Sequence, residues 1–190
     1  MKVAITGIIG SGKSEVSKIV ANFGATVLSA DTINKELLQD VKYQEKLKEV
    51  FPDAFPCGKF DKKKLTEIVF GEKEKLLTLN KIAHPEIMKK MHERAEGYSL
   101  VFCEIPLLKE DWAKDFDRIW LVKCDDNARA ERICARDNRS LDEALKIIDS
   151  QRVYKDIKYD NCDIIYNNGN FEELKGKVEK LYCELSVKKC

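Results

Sequence analysis

The stretch that most limits what this chain folds into is residues 7–14, GIIGSGKS. Gly7, Gly12, Lys13 and Ser14 fill the fixed positions of the pattern G-x-x-x-x-G-K-[ST]. Residues 3–6 before it are a short β-prone apolar run, and residues 15–21 after it are apolar at helical spacing. Strand, glycine turn and helix start together make a phosphate cradle. The glycines let the backbone bend so that several N–H groups face one anion, and the helix N-terminus adds partial positive charge. In that geometry Lys13 reaches the β- and γ-phosphates of a nucleotide, and the Ser14 hydroxyl ligates Mg2+.

At 190 residues the chain is expected to form a single domain, 1–190, large enough to carry an inserted subdomain. A net charge of +1 gives no global field toward nucleic acid or anionic lipid, so neither partner is expected. Positive charge for a phosphate ligand must then be local. Seven cysteines, at 57, 103, 124, 134, 162, 183 and 190, include no C-x-x-C pair and are odd in number. Neither a zinc site nor a disulfide framework is indicated, and a reducing cytoplasm is the simplest account. Met1-Lys2 leads straight into a strand rather than a signal peptide, and no apolar run reaches the roughly 18 residues of a membrane span.

Further strands are predicted at 25–29, 99–105, 118–123 and 163–167, and a closing amphipathic helix at 171–185. Five strands alternating with helices, with the phosphate loop after the first, predict an α/β fold with a doubly wound parallel five-stranded sheet. Residues 32–97 hold no clear strand and read as helices over 35–51, 63–69 and 73–97, far more than a crossover needs. They form a helical insertion. Pro85, inside the last of these, predicts a break or kink beside His84.

Asp31 falls just past the second strand, on the edge where open α/β sheets bind ligands; it equally suits an N-cap for the helix through Thr32, Ile33 and Asn34. Glu104 ends the third strand on the same edge, as a rim carboxylate or one half of a salt bridge. Arg129, Arg132, Arg136 and Arg139 follow the fourth strand among several acids. Arg132 and Arg136 share a helix face, either as a phosphate clamp or as a solvated, salt-bridged surface.

Beyond these local readings, the chain resembles dephospho-coenzyme A kinase over nearly its whole length. The likeness rests on Thr6 with Gly10-Ser11-Gly12-Lys13-Ser14, on Asp31, and on Phe60-Asp61 with Leu65 and Val69-Phe70. It continues through His84-Pro85, Ile105-Pro106-Leu107-Leu108 with Glu110, Arg132 and Arg136, Gln151, and residues 163–169. The resemblance implies a P-loop nucleotide core, a helical substrate-binding insertion over 32–97 and an arginine-bearing lid over 125–160. It implies transfer of the γ-phosphoryl of ATP, with Mg2+, to the ribose 3′-hydroxyl of dephospho-CoA.

The roles it implies are these. Ile9, Gly10, Ser11, Gly12, Lys13 and Ser14 hold ATP, joined by Arg132, Arg136, Arg139 and Asn168. Ser14 binds the metal, and Asp31 is the general base beside Lys13. Thr6, Asp31, Lys62, His84, Glu104 and Leu108 take the coenzyme. The chain departs from the family at Ile8, where glycine is usual, and at Lys62, where arginine is usual. It departs again at Glu104, in place of aspartate, and at Lys109, in place of phenylalanine. The alternative activities are phosphorylation of a nucleoside or nucleotide, and a nucleotide-dependent switch.

Overall fold

The computed structural model describes residues 1–151 and 157–187. Its residues cluster into two units: one made of the chain before Ser29 and after Glu96, the other of Ser29–Glu96.

The first unit is built on apolar strands. β1 (Lys2–Thr6) is buried from Val3 on, as a strand flanked on both sides requires. β2 (Thr26–Ser29), β3 (Val101–Glu104), β4 (Arg118–Lys123) and β5 (Cys162–Tyr166) join it in the order β2-β3-β1-β4-β5. β1 runs parallel to β3, with Ile5 opposite Glu104, and parallel to β4, with Ile5 opposite Trp120; β4 runs parallel to β5. The chain passes from β1 to the edge strand β2, returns inward to β3, and then crosses to β4 and β5 on the other side. The connections leaving β1 and β4 therefore run in opposite directions, which makes the crevice at the carboxyl end of β1 a topological switch point. α1 (Lys13–Asn22) and α9 (Phe171–Val187) bury Val16, Ile19, Val20, Leu174, Val178 and Leu185 with Phe102 and Trp120. The Phe102 and Trp120 rings lie 5.0 Å apart. The remaining helices of this unit are the short α6 (Glu110–Ala113), α7 (Asp126–Asp137) and α8 (Leu141–Ser150). A capping box at Ser140 and Glu143 starts α8, and Ala130, Ile133, Ala144 and Ile148 join it to α7.

The second unit is helical, with α2 (Ala30–Leu37), α3 (Val41–Val50), α4 (Lys62–Val69) and α5 (Lys73–Ala95), and 3-10 turns at Pro52–Ala54 and Pro56–Gly58. Leu47, Phe51, Ala54, Phe55, Leu65 and Ala83 form its core. Asp40 and Asp61 cap α3 and α4 through their side chains.

Three local expectations are corrected here. Residues 35–51 are not one helix, because the turn before Asp40 restarts the backbone. α5 runs through Pro85 without a break. The proline ring is exposed, and burial of Ala83, Met88 and Met91 on the same helix offsets the lost N–H bond. Asp31 is not an N-cap: β2 passes straight into α2, Ser29 takes the cap position, and Asp31 lies in the first turn. That places an acidic residue near the positive end of the helix dipole. No helix among the described residues is long and apolar enough to cross a membrane.

Candidate active site

The phosphate loop leaves β1 at Gly7 and ends where α1 begins. Gly12, at φ 98°, is the residue before the helix, and this left-handed conformation suits glycine. A Cβ on Gly12 would also lie 2.1 Å from Asn167 Nδ2, so the close approach of Asn167 demands the same residue. Lys13 Nζ donates to Gly7 O at 2.7 Å and Ile8 O at 3.2 Å, which holds the ammonium against the loop. Ser14 Oγ donates to Glu104 Oε1 at 2.8 Å. A hydroxyl and a carboxylate oxygen therefore stand together beside the lysine, at the carboxyl ends of β1 and β3.

That donor set fits a hard cation. Mg2+ takes one or two protein oxygens and completes its shell with phosphate and water. Among the described residues no cluster of three His, Cys, Asp or Glu could hold an ion.

The outer face of the loop is tied to distant parts of the chain. Arg129 Nε donates to Ile9 O at 2.9 Å, and Asn167 Nδ2 donates to Ser11 O at 2.9 Å. Arg132 spans this face: Nη1 donates to Gly10 O at 3.3 Å and to Cys124 Sγ at 3.1 Å, and Nη2 donates to Asn167 O at 3.0 Å. Ile9 N donates to Gln151 Oε1 at 2.8 Å. Next to the loop lies a cavity of about 160 Å3 lined by Thr6, Gly7, Ile8, Leu107, Leu108 and the end of β4, with Ile157 and Tyr159. Thr6 Oγ1 accepts from Leu108 N, and Tyr159 OH donates to Leu108 O at 2.6 Å. Burial, with smaller contributions from Cys162 and Glu110, pushes the Tyr159 phenol up to about 12, so it stays a donor at neutral pH.

The family model of dephospho-CoA kinase matches residues 1–173. The dephospho-CoA kinase of Fusobacterium nucleatum is 38% identical, covering 97% of each chain, and that of Carboxydothermus hydrogenoformans is 33% identical over 93% of this chain and 90% of the other. This chain belongs to the dephospho-CoA kinase family. The dephospho-CoA kinase from Campylobacter jejuni superimposes with a TM-score of 0.67 at 26% identity over the full length of both chains. TT1252 from Thermus thermophilus does so with a TM-score of 0.77 at 30% identity over 97% of each. Shikimate kinase from Aquifex aeolicus, at 16% identity and a TM-score of 0.51, shares the fold alone. The reaction is ATP-dependent phosphorylation of dephospho-CoA at the ribose 3′-hydroxyl, the last step of coenzyme A synthesis.

Within this kinase the expected site residues fall into two sets. Thr6, Ile9 to Ser14, Glu104, Leu108, Arg132, Arg136, Arg139 and Asn168 belong to the sheet unit; Asp31, Lys62 and His84 belong to the helical one. Ile9 gives its N–H to Gln151 and so faces outward from the cradle. Arg136 is exposed and paired with Asp137 at 2.7 Å, and Arg139 is exposed between α7 and α8. Asn168 caps the approach to α7 by accepting from Asp125 N; its neighbour Asn167 is the residue on the loop. Sequence reasoning gave no role to Asn167 or Gln151, and took Arg129 only as one arginine of a basic segment that clamps phosphate or faces solvent. Their partners are 156, 142 and 120 residues away, beyond the reach of any local pattern.

In the helical unit, Lys62 begins α4 and lines a polar cavity of about 450 Å3 with Lys35, Lys59, Gln39, Gln44 and Phe60. His84 is half-buried midway along α5.

Proposed function

We propose that Gly10 to Ser14 bind the ATP phosphates, and that Ser14 and Glu104 together hold the metal end of the nucleotide. The Ser14–Glu104 hydrogen bond of 2.8 Å carries this reading. It supports reading Glu104 on the metal side, whereas the family resemblance implies the coenzyme side. Phosphoryl transfer leaves little covalent work to a protein, so positioning and charge neutralisation supply the rate. Mg2+ held by Ser14 and Glu104 would supply neutralisation of phosphate charge. Lys13 neutralises the charge that builds between the β- and γ-phosphates. Arg132, Arg136 and Arg139 act on the nucleotide side, with the exposed Arg136 and Arg139 closing over ATP to keep water from the γ-phosphoryl.

On the acceptor side, Asp31 orients the 3′-hydroxyl and takes its proton. Thr6 and Leu108 wall the apolar cavity beside the loop for the acceptor. The helical unit receives the coenzyme, with Lys62 meeting a coenzyme phosphate and His84 on the same side. The lysine-lined cavity supports this role, since ammonium groups suit an anionic ligand and Phe60 offers a ring. We also infer a cytoplasmic location, supported by six free cysteines among the described residues.

Asp31→Asn tests the mechanism. Asparagine keeps the hydrogen bond to a hydroxyl but takes no proton at neutral pH. Single-turnover transfer is expected to fall about 10²–10⁴-fold, with the Kd for ATP unchanged. Wild-type transfer by a folded Asp31→Asn protein would remove Asp31 as the base.

A further inference from the structure

A phosphate cradle works only when its peptide planes are turned so that N–H groups face the anion. In a trans peptide the C=O points the opposite way from the N–H, so those carbonyls face outward and, where buried, need donors. Here Arg129 Nε holds Ile9 O at 2.9 Å, Arg132 Nη1 holds Gly10 O at 3.3 Å and Asn167 Nδ2 holds Ser11 O at 2.9 Å. Ile9 O and the Gly10 N–H share one peptide plane, so a donor on that oxygen sets the direction of that N–H.

Ile9 is held more firmly than its neighbours. Its N–H is bonded to Gln151 at the end of α8, and its side chain packs against the apolar cluster that joins α7 to α8. Arg129 is fixed in turn. Its residue is 1% exposed, and its Nη1 is paired with Asp126 Oδ1 at 2.7 Å. A Cβ on Gly10 would lie 3.0 Å from Arg129 O and 3.2 Å from its Cα, so the α7 backbone sits directly on the loop. Burying a guanidinium is a poor way to gain stability, since an apolar residue of like volume avoids the desolvation cost. What the guanidinium alone supplies is a planar fork that reaches Asp126 and Ile9 O at once.

We propose that Arg129 is a positioning residue for ATP: through Ile9 it fixes the peptide orientation of the phosphate loop and ties α7 and α8 to it. The proposal rests on the assignment of ATP to this loop. The decisive variant is Arg129→Met, which keeps the reach and removes the donors. Equilibrium binding of a fluorescent ATP analogue, steady-state KM and kcat for both substrates, and thermal unfolding are measured together. The Kd and KM for ATP are expected to rise about tenfold, the size of a lost charged hydrogen bond, with the KM for dephospho-CoA within about twofold of wild type. Arg129→Lys, which keeps the charge and one of the two contacts, is expected to fall between. Combining Arg129→Met with Gln151→Leu is expected to cost less than the product of the single effects, because both act on Ile9.

A folded Arg129→Met enzyme with wild-type ATP affinity overturns the proposal, as does an equal loss toward both substrates that merely follows the melting temperature. If Arg129→Met does not fold, Gln151→Leu removes the other hold on the same residue; the same ATP-selective loss is expected there, and wild-type ATP affinity overturns the proposal. Lys13→Ala separates the two levels of argument. Wild-type transfer by Lys13→Ala removes the loop assignment and this proposal with it. A crippled Lys13→Ala beside an unaffected Arg129→Met removes this proposal alone.

Discussion

The two units of this kinase are held together in different ways. In the sheet unit, the phosphate loop is fixed by side chains more than a hundred residues away: Arg129, Arg132, Gln151 and Asn167 all end on it. In the helical unit, order comes from capped helices over one apolar core, with ion pairs such as Arg94–Glu36 and Lys46–Glu86 at its surface. Its lysine-lined cavity is walled by exposed residues, Lys35, Lys59 and Lys62. The contrast matches the role proposed for each. A triphosphate must be met by backbone groups in fixed directions, and fixed directions need buried, geometrically exact partners. A flexible anionic coenzyme can be met by point charges on long stems.

Among the tests of this contrast between loop and lysine-lined cavity, breaking the loop has the largest expected effect. Lys13→Ala removes charge stabilisation that grows during transfer and should lower kcat by about 10²–10³-fold, with an unchanged melting curve. Single-turnover kinetics beside a thermal melt measure both. Lys62→Ala probes the adaptable side and should do less. An exposed ammonium on a phosphate is expected to raise the KM for dephospho-CoA about three- to tenfold, leaving the Kd for ATP unchanged. A large rise in the Kd for ATP in Lys62→Ala would mean that the division of labour drawn between the units is wrong.

The smallest effect sharpens the comparison through alkaline stability. Burial pushes the Cys103 thiol and the Tyr159 phenol of the sheet unit, and the Tyr43 phenol of the helical unit, each up to about 12. The unfolded chain ionises cysteine near 9.0 and tyrosine near 10.0. Between those values and 12 the unfolded state has released protons that the folded state still holds. Stability is therefore full below pH 9 and is lost as pH rises toward 12. Melting temperature against pH checks this. Tyr159→Phe and Tyr43→Phe should each flatten part of the decline, which assigns it unit by unit.

Much of the architecture was legible in the residues. β4 lies at 118–123 as its apolar run predicts, and the helices at 62–69 and 73–95 match theirs within a residue or two. These elements carry their own periodicity and their own punctuation. What was not legible depended on packing. Nothing local shows that the segment around Pro85 stays helical, because the burial that offsets the proline is tertiary. Nothing local shows that β2 enters α2 without a connecting residue, which is why Asp31 read as well for a cap as for a rim carboxylate. The same limit separates Arg129 from Arg136. Both stand in one basic helix; one is buried beneath the loop, and the other is exposed and paired with its own neighbour. Only the fold assigns them.

The long-range ties on the loop also set the order in which the protein can be assembled. The helical unit is one continuous segment, and every residue of its core has left the ribosome once Glu96 has. The phosphate loop emerges before that unit, yet its outward carbonyls wait for Arg129, Arg132 and Asn167. Contacts of such separation form late, after the entropy of closing a long chain has been overcome. During synthesis the loop proposed to bind ATP is thus written early and finished near the end, and a nascent chain that stops short of Arg129 carries the nucleotide motif without the arginine and asparagine donors that hold its outward carbonyls.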